Sequence, residues 1–293
     1  MHKAGFVNIV GNPNVGKSTL MNQLVGEKLS IATFKAQTTR HRIMGIVNTE
    51  DTQIVFSDTP GVLKPNYKMQ EMMLQFSESA LADADILLYV TDVVEDPEKN
   101  MDFLEKVSKM SIPVILLINK IDESDQKKLG TLVTKWHELL PNAEILPISA
   151  KNKFGTDILL KRIHELLPES PAFFDKDQLT DKPAKFFVSE IIREKILRYY
   201  DKEIPYSVEV VVERFKEDER QIHINAVIYV ERSSQKGIII GHQGMALKKV
   251  STEARKSLER FFEKKIFLET LVKVDKDWRN SQKELKHFGY SPE

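Results

Sequence analysis

The chain has 293 residues with 43 basic and 43 acidic side chains, hence no formal net charge. A composition of 41% hydrophobic and 29% charged residues fits a globular protein and excludes a disordered or fibrous one. No apolar run reaches the length of about 18 residues that a transmembrane helix needs, and the lack of cysteine excludes disulfides, thiolate metal sites and a cysteine nucleophile. The seven histidines are scattered, without ligand-like spacing. The zero total hides a split: residues 1–175 carry 19 basic and 23 acidic side chains, a net of −4, and residues 176–293 carry 24 and 20, a net of +4. Within 232–286 there are 14 basic and 7 acidic side chains, a net of +7.

In chain order, Met1-His2-Lys3-Ala4 leads directly into an apolar strand at 5–10, so no targeting segment is expected. Residues 43–57 predict a hairpin turning at Glu50-Asp51, which would give one antiparallel edge. Short β-branched runs at 54–56, 86–90, 114–118 and 145–148 predict buried strands. Helical periodicity covers 69–82, 97–110, 125–140 and 156–167. Strands alternating with helices predict an α/β domain over 1–170, with a mostly parallel sheet and helices on both faces. Residues 168–183 contain three prolines and little apolar period, and 171–183 are the expected linker. A different pattern occupies 184–293. A helix is predicted at about 184–200, strands at 206–214 and 222–231, a helix, glycine turn and long helix over 234–264, a strand at 266–274 and a last helix at about 278–287.

Gly11-Asn12-Pro13-Asn14-Val15-Gly16-Lys17-Ser18 fits G-x-x-x-x-G-K-[ST] between a predicted strand and a predicted helix, and Thr19 follows it. Glycines at these positions let backbone N–H groups close around phosphate oxygens, and the helix N-terminus adds positive potential. Lys17 is expected on the β- and γ-phosphates and Ser18 on Mg²⁺. Asp58-Thr59-Pro60-Gly61 ends the next strand. Asp58 would reach the metal through water, and the Gly61 N–H would meet the γ-phosphate. Asn119-Lys120-Ile121-Asp122 follows the strand at 114–118. The Asp122 carboxylate can accept from both N1 and N2 donors of guanine, which adenine cannot offer in that arrangement. Asn119 and Lys120 would order the loop and cover the base plane. In Ser149-Ala150-Lys151 the Ala150 N–H can meet guanine O6. The nucleotide is therefore read as GTP rather than ATP.

With these motifs in order, the chain resembles the translation-factor-like GTPases, specifically the Era family. The resemblance implies that Gln37-Thr38-Thr39-Arg40-His41 is the first switch, with Thr39, and less readily Thr38, sensing the γ-phosphate and Mg²⁺. It implies that GTP orders 28–42 and 59–70 and that hydrolysis releases them. Asn14, in the pattern G-x-P-N-x-G-K-S, is by the same resemblance a candidate K⁺ contact, although asparagine is also a common turn residue. Val62 stands where related enzymes carry a water-orienting glutamine, so slow unaided hydrolysis is expected. The catalytic candidates are Asn14, Lys17, Thr39 and Gly61, and the metal candidates are Ser18, Thr39 and Asp58.

In the back half, Gly241-His242-Gln243-Gly244 is a G-x-x-G loop between two helical segments, inside the basic stretch. Such a loop lets a KH module clamp a few nucleotides of single-stranded nucleic acid. The predicted order helix-strand-strand-helix-helix-strand matches the type II KH topology of the family. Ile239, Ile240, Lys248 and Lys249 are further candidates for RNA contact, although isoleucines in such a triplet mostly belong to the core. The resemblance implies binding of 16S rRNA near its 3′ end, a role in 16S rRNA processing and 30S subunit assembly, and a description at the membrane. A monomer in the bacterial cytoplasm is expected, with weak membrane-surface association. A signalling switch acting at a protein or membrane surface is the competing class, and a metabolic kinase is disfavoured by Asn119–Asp122.

Overall fold

The computed structural model describes residues 2–33, 35 and 37–291. Phe34 and Ala36, inside the segment 28–42 that GTP is expected to order, lie outside the described residues. The chain divides into two compact units, the first made of residues up to Asn66 with Gln70–Asp181, the second of Tyr67–Met69 with Lys182–Ser291.

The first unit is built on a six-stranded sheet of β1 (Lys3–Gly11), β2 (Ile43–Asn48), β3 (Thr52–Asp58), β4 (Ile86–Asp92), β5 (Val114–Asn119) and β6 (Glu144–Pro147). The order across the sheet is β2-β3-β1-β4-β5-β6, with β2 antiparallel to β3 and every other pair parallel. The central strands are almost wholly buried, which is why they read as continuous apolar runs and not as alternating ones. Helices α1 (Lys17–Val25), α2 (Lys68–Ala82), α3 (Met101–Ser108), α4 (Gln126–Leu139) and α5 (Thr156–Leu166) cover the sheet. Phe103, Leu104 and Val107 of α3 and Trp136 of α4 join Val10, Leu87, Tyr89, Leu116 and Ile118 of the strands in one core. At Gly45 of β2 an added Cβ would lie 2.6 Å from the Met21 side chain, so this glycine lets α1 sit close on the sheet edge. The strand order turns at β1, between β3 and β4. In open α/β sheets ligands bind outside the carboxyl ends of the strands at such a point.

Helix α3 begins four residues later than the periodicity predicts. The Asp96 carboxylate accepts from the Glu98 N–H at 3.1 Å and its carbonyl from the Lys99 N–H at 3.2 Å, and this turn occupies the start of the stretch. Residues 176–181 run along the outer edge of β2. The Ile46 N–H donates to the Leu179 carbonyl at 2.8 Å, Thr180 Oγ1 donates to the Met44 carbonyl at 2.6 Å, and the Met44 N–H donates to Asp181 Oδ1 at 2.8 Å. An exposed strand edge is thereby satisfied.

The second unit contains α6 (Ala184–Tyr199), β7 (Glu209–Glu217), β8 (Gln221–Val230), α7 (Ser233–Ile240), α8 (Met245–Phe262), β9 (Lys265–Val274) and α9 (Gln282–His287). The sheet order is β7-β8-β9, with β7 antiparallel and β9 parallel to β8. Alternate residues of β7 and β8 join Val188, Ile192 and Ile196 of α6 and Val250, Ala254 and Leu258 of α8 in one core. Strand β7 starts at Glu209 and not at 206, because Pro205 sits in a 3-10 turn, Ile204–Tyr206. The last helix starts at Gln282, not at 278. A separate 3-10 turn, Trp278–Asn280, buries Trp278 completely, and Ser281 caps the helix by accepting from the Glu284 N–H at 3.3 Å. Among the described residues no helix is long and apolar enough to cross a membrane.

Candidate functional site

The loop between β1 and α1 forms one wall of a cavity of about 600 Å³. Pro13, Asn14, Gly16, Lys17, Ser18, Thr19, Thr39, Thr59, Gly61, Asn119, Lys120, Asp122, Ser149, Ala150 and Lys151 all line it. Gly11, Asn12, Val15, Asp58 and Pro60 do not line it and act from behind. Gly11 has φ 144°, and a Cβ there would lie 2.1 Å from the Val90 carbonyl oxygen, so only glycine lets β1 turn into the loop beside β4. The Val62 N–H donates to the Gly11 carbonyl at 3.1 Å, which ties the loop after β3 to the loop after β1. A Cβ on Gly61 would lie 2.6 Å from Pro13 Cα, so this glycine permits the two loops to touch.

Lys17 is 6% exposed, and its ammonium donates to the carbonyls of Gly11 at 2.9 Å and Asn12 at 2.8 Å. Burial pushes its pKa down to about 8, against the opposing pull of Asp58 and Glu95. Ser18 Oγ lies 2.8 Å from Thr39 Oγ1 and donates to Asp58 Oδ2 at 2.7 Å, and Thr39 Oγ1 lies 3.3 Å from the same oxygen. Asp58 is fully buried, its Oδ1 accepts no hydrogen bond among the described residues, and burial holds its carboxyl above the usual range despite Lys17 nearby. Two hydroxyls and a carboxylate with an orphaned oxygen form a donor set that suits a hard divalent cation. Among the described residues no group of three or more His, Cys, Asp or Glu side chains could hold a metal, so a cation here would need oxygens from the nucleotide and water as well. Thr38 also lines the cavity, but its hydroxyl is turned away from Ser18 and Asp58: it donates to the Lys35 carbonyl at 2.5 Å and meets Thr33 Oγ1 at 2.9 Å.

At the other end of the cavity, Asn119 joins three loops. Its Nδ2 donates to the Val15 carbonyl at 2.8 Å, and its Oδ1 accepts from the Ala150 N–H at 2.9 Å. Gly16 leaves the space: a Cβ there would lie 2.3 Å from Asn119 Nδ2. Asp122 Oδ1 accepts from Ser149 Oγ at 2.6 Å, so the carboxylate is oriented by the next loop. Lys120 and Asn14 adopt left-handed φ values of 61° and 66°, and the Lys120 ammonium donates to the Asn14 carbonyl at 2.7 Å.

In the second unit, Gly241 (φ 70°, ψ 179°) ends α7 and Gly244 (φ 75°) precedes α8, with Gln243 at φ 49° between them. No atom outside the loop lies within 4 Å of a Cβ built on Gly244, so its backbone faces open space. His242, Gln243, Lys248 and Lys249 are exposed, and the Lys249 ammonium sits 4.5 Å from the centre of the Tyr199 ring. One of the expected groove residues must be corrected. Ile239 is fully buried in the core and its carbonyl accepts from Tyr200 Oη at 2.7 Å, so its side chain cannot touch RNA. Ile240 is half-buried, and the exposed isoleucine is Ile238 at 49%. A helix shows only part of a consecutive apolar triplet to the core, and α7 turns the first member outward.

Comparison with known proteins agrees with this geometry. Residues 6–120 match a family model described as a 50S ribosome-binding GTPase, and residues 203–279 match the KH domain. The chain is 44% identical over 292 residues to GTPase Era of Clostridium kluyveri, covering 99% of this chain and 100% of that protein. It is 45% identical over 290 residues to GTPase Era of Geobacter sp. strain M21, covering 98% of each. The chain belongs to the GTPase Era family. It is a GTP-hydrolysing enzyme. A crystal structure of Era in complex with MgGDPNP and nucleotides 1506–1542 of 16S ribosomal RNA superposes with a TM-score of 0.95 at 37% identity, covering all of both chains. An Aquifex aeolicus Era variant bound to GDP and AlF4⁻ gives 0.94, also at 37% identity, covering 99% of this chain and all of that one.

Several cavity residues escaped the motif reading. Ile31, Ala32, Thr33 and Glu123 line the cavity, and of these only Glu123 carried a sequence signal, its adjacency to Asp122; Gln37, the first residue of the expected switch, lines it as well. Val62 is 4% exposed and packs into the core with Val10 and Ala80. It therefore lacks both the chemistry and the position of a water-orienting group.

Proposed function

We propose that the protein is a GTP-driven RNA-binding switch that holds 16S rRNA near its 3′ end and assists 16S rRNA processing and small-subunit assembly. The observation that carries this reading is the open G-x-x-G backbone at the start of basic α8, in a chain aligned end to end with an Era crystallised on 16S ribosomal RNA. A glycine backbone beside a helix N-terminus meets phosphates closely, and Ile238, Ile240, Lys248 and Lys249 flank it with apolar surface and positive charge.

On the nucleotide side, Gly11–Thr19 would cradle the phosphates and Lys17 would bear on the β/γ oxygens. Ser18, Thr39 and Asp58 would hold Mg²⁺, which when bound neutralises charge on the transferred phosphoryl. Asn119, Lys120 and Asp122 would read guanine, with Ser149, Ala150 and Lys151 closing the far side. Water is the nucleophile. Among the described residues no side chain in the cavity is placed as a general base, so hydrolysis rests on positioning and charge and is slow when unaided. Asn14 lines the cavity beside the phosphate loop, where a K⁺ contact would add positive charge. The working division is a GTPase domain at 1–170, a connecting segment at 171–183 and an RNA-binding domain at 184–293, acting as a monomer in the bacterial cytoplasm. The test is filter binding of a 3′-end 16S rRNA oligonucleotide. Gly241→Asp and Gly244→Asp should abolish binding while GTP hydrolysis continues, and unchanged RNA affinity would remove the clamp from the mechanism.

A further inference from the structure

The base end of the cavity is braced from outside by a carboxylate that belongs to none of the nucleotide motifs. Asp92, the last residue of β4, pairs in register with Asn119 at the end of β5 and is 6% exposed. Its two oxygens have separate tasks. Oδ1 accepts from the N–H groups of Val94 at 3.0 Å and Glu95 at 2.9 Å, closing the turn after β4. Oδ2 accepts from the Lys120 ammonium at 2.5 Å. The turn needs only one acceptor oxygen, which asparagine would supply as well. The second oxygen takes the hydrogen bond from Lys120, and the negative charge faces that ammonium.

Lys120 needs such a brace. Its backbone is left-handed, an arrangement that costs a non-glycine residue on the order of 1 kcal/mol unless its surroundings impose it. Its ammonium is held on one side by the Asn14 carbonyl of the phosphate loop and on the other by Asp92, so the lysine spans from one strand end to the loop that borders the phosphates. We propose that Asp92 is a positioning residue for guanine nucleotide binding and acts through Lys120. The proposal rests on the assignment of Lys120 to the base side of the cavity. Without the carboxylate, the ammonium keeps one partner and its side chain gains rotamer freedom that nucleotide binding must then remove.

The test is equilibrium titration of the full-length chain with fluorescently labelled GDP, using wild type, Asp92→Asn, Lys120→Gln and the double variant. Asp92→Asn keeps the oxygen that closes the turn, and it should weaken GDP binding about tenfold, the loss expected for one charge-assisted hydrogen bond. In the Lys120→Gln background the same change should cost less than twofold, because the interaction it removes is already gone. In steady-state hydrolysis Asp92→Asn should lower kcat/KM chiefly through KM. Wild-type affinity in Asp92→Asn, or losses that add in the double variant, would overturn the proposal while Lys120→Gln alone still binds weakly. Wild-type affinity in Lys120→Gln would instead remove Lys120 from the base site, and the proposal with it.

Discussion

Asn119 and Asp122 sit three residues apart in one motif, yet the structure gives them different work, and replacing each separates the two. Asn119 is 2% exposed, and both of its hydrogen bonds go to backbone groups of other loops. Asn119→Ala leaves the Val15 carbonyl and the Ala150 N–H unpaired in a buried place. Each such loss costs about 1–3 kcal/mol, so nucleotide-free protein should lose roughly 2–6 kcal/mol of stability. That corresponds to a fall of several degrees in Tm for the cooperative unit, at about 2–4 °C per kcal/mol. Asp122 stands exposed at the cavity, its carboxylate hydrogen-bonded to Ser149 Oγ. Asp122→Asn should leave nucleotide-free stability within about 0.5 kcal/mol, as surface changes usually do. It should weaken GDP about a hundredfold, since two hydrogen bonds to a charged acceptor are replaced by a donor facing donors. Denaturant unfolding without nucleotide and GDP titration measure the two quantities. Equal stability losses in both variants, or an unchanged Asn119→Ala, would refute this division of labour.

Four further outcomes follow from the same geometry. Ile239→Ala should cost about 2–5 kcal/mol of stability, as buried isoleucine truncations do, whereas Ile238→Ala should weaken RNA binding at nearly unchanged stability; denaturation and filter binding separate them. RNA affinity should fall steeply with salt, with a slope near −0.7 per phosphate contacted, and Lys248→Ala should lower the slope by about one contact; an unchanged slope removes Lys248 from the interface. Turnover should be higher in KCl than in NaCl at equal ionic strength, and Asn14→Ala should erase the difference; identical wild-type rates in the two salts would end the K⁺ assignment. Chelation of Mg²⁺ should abolish hydrolysis, and Asp58→Ala should raise the Mg²⁺ concentration needed for half-maximal turnover; an unchanged requirement would place the metal elsewhere.

The fold class and the chemical identity of the cavity were legible in the sequence because they depend on short-range patterns. Buried parallel strands must be apolar along their length, a phosphate loop must carry glycines where the backbone turns, and Asp122 announces guanine by its acceptor chemistry alone. Where local turn chemistry competes with periodicity, the pattern misplaced the boundary, as at Asp96 before α3 and at Trp278 before α9. The tertiary structure decided what depends on residues far apart in the chain. It brought Thr39, not Thr38, to Ser18 and Asp58, sent Ile239 inward and Ile238 outward, and laid residues 176–181 along the edge of β2. It also set Asp92 against Lys120, 28 positions away in the chain. No periodicity or motif encodes such a pairing. It exists because two parallel strands end in register, and register is a property of the whole sheet.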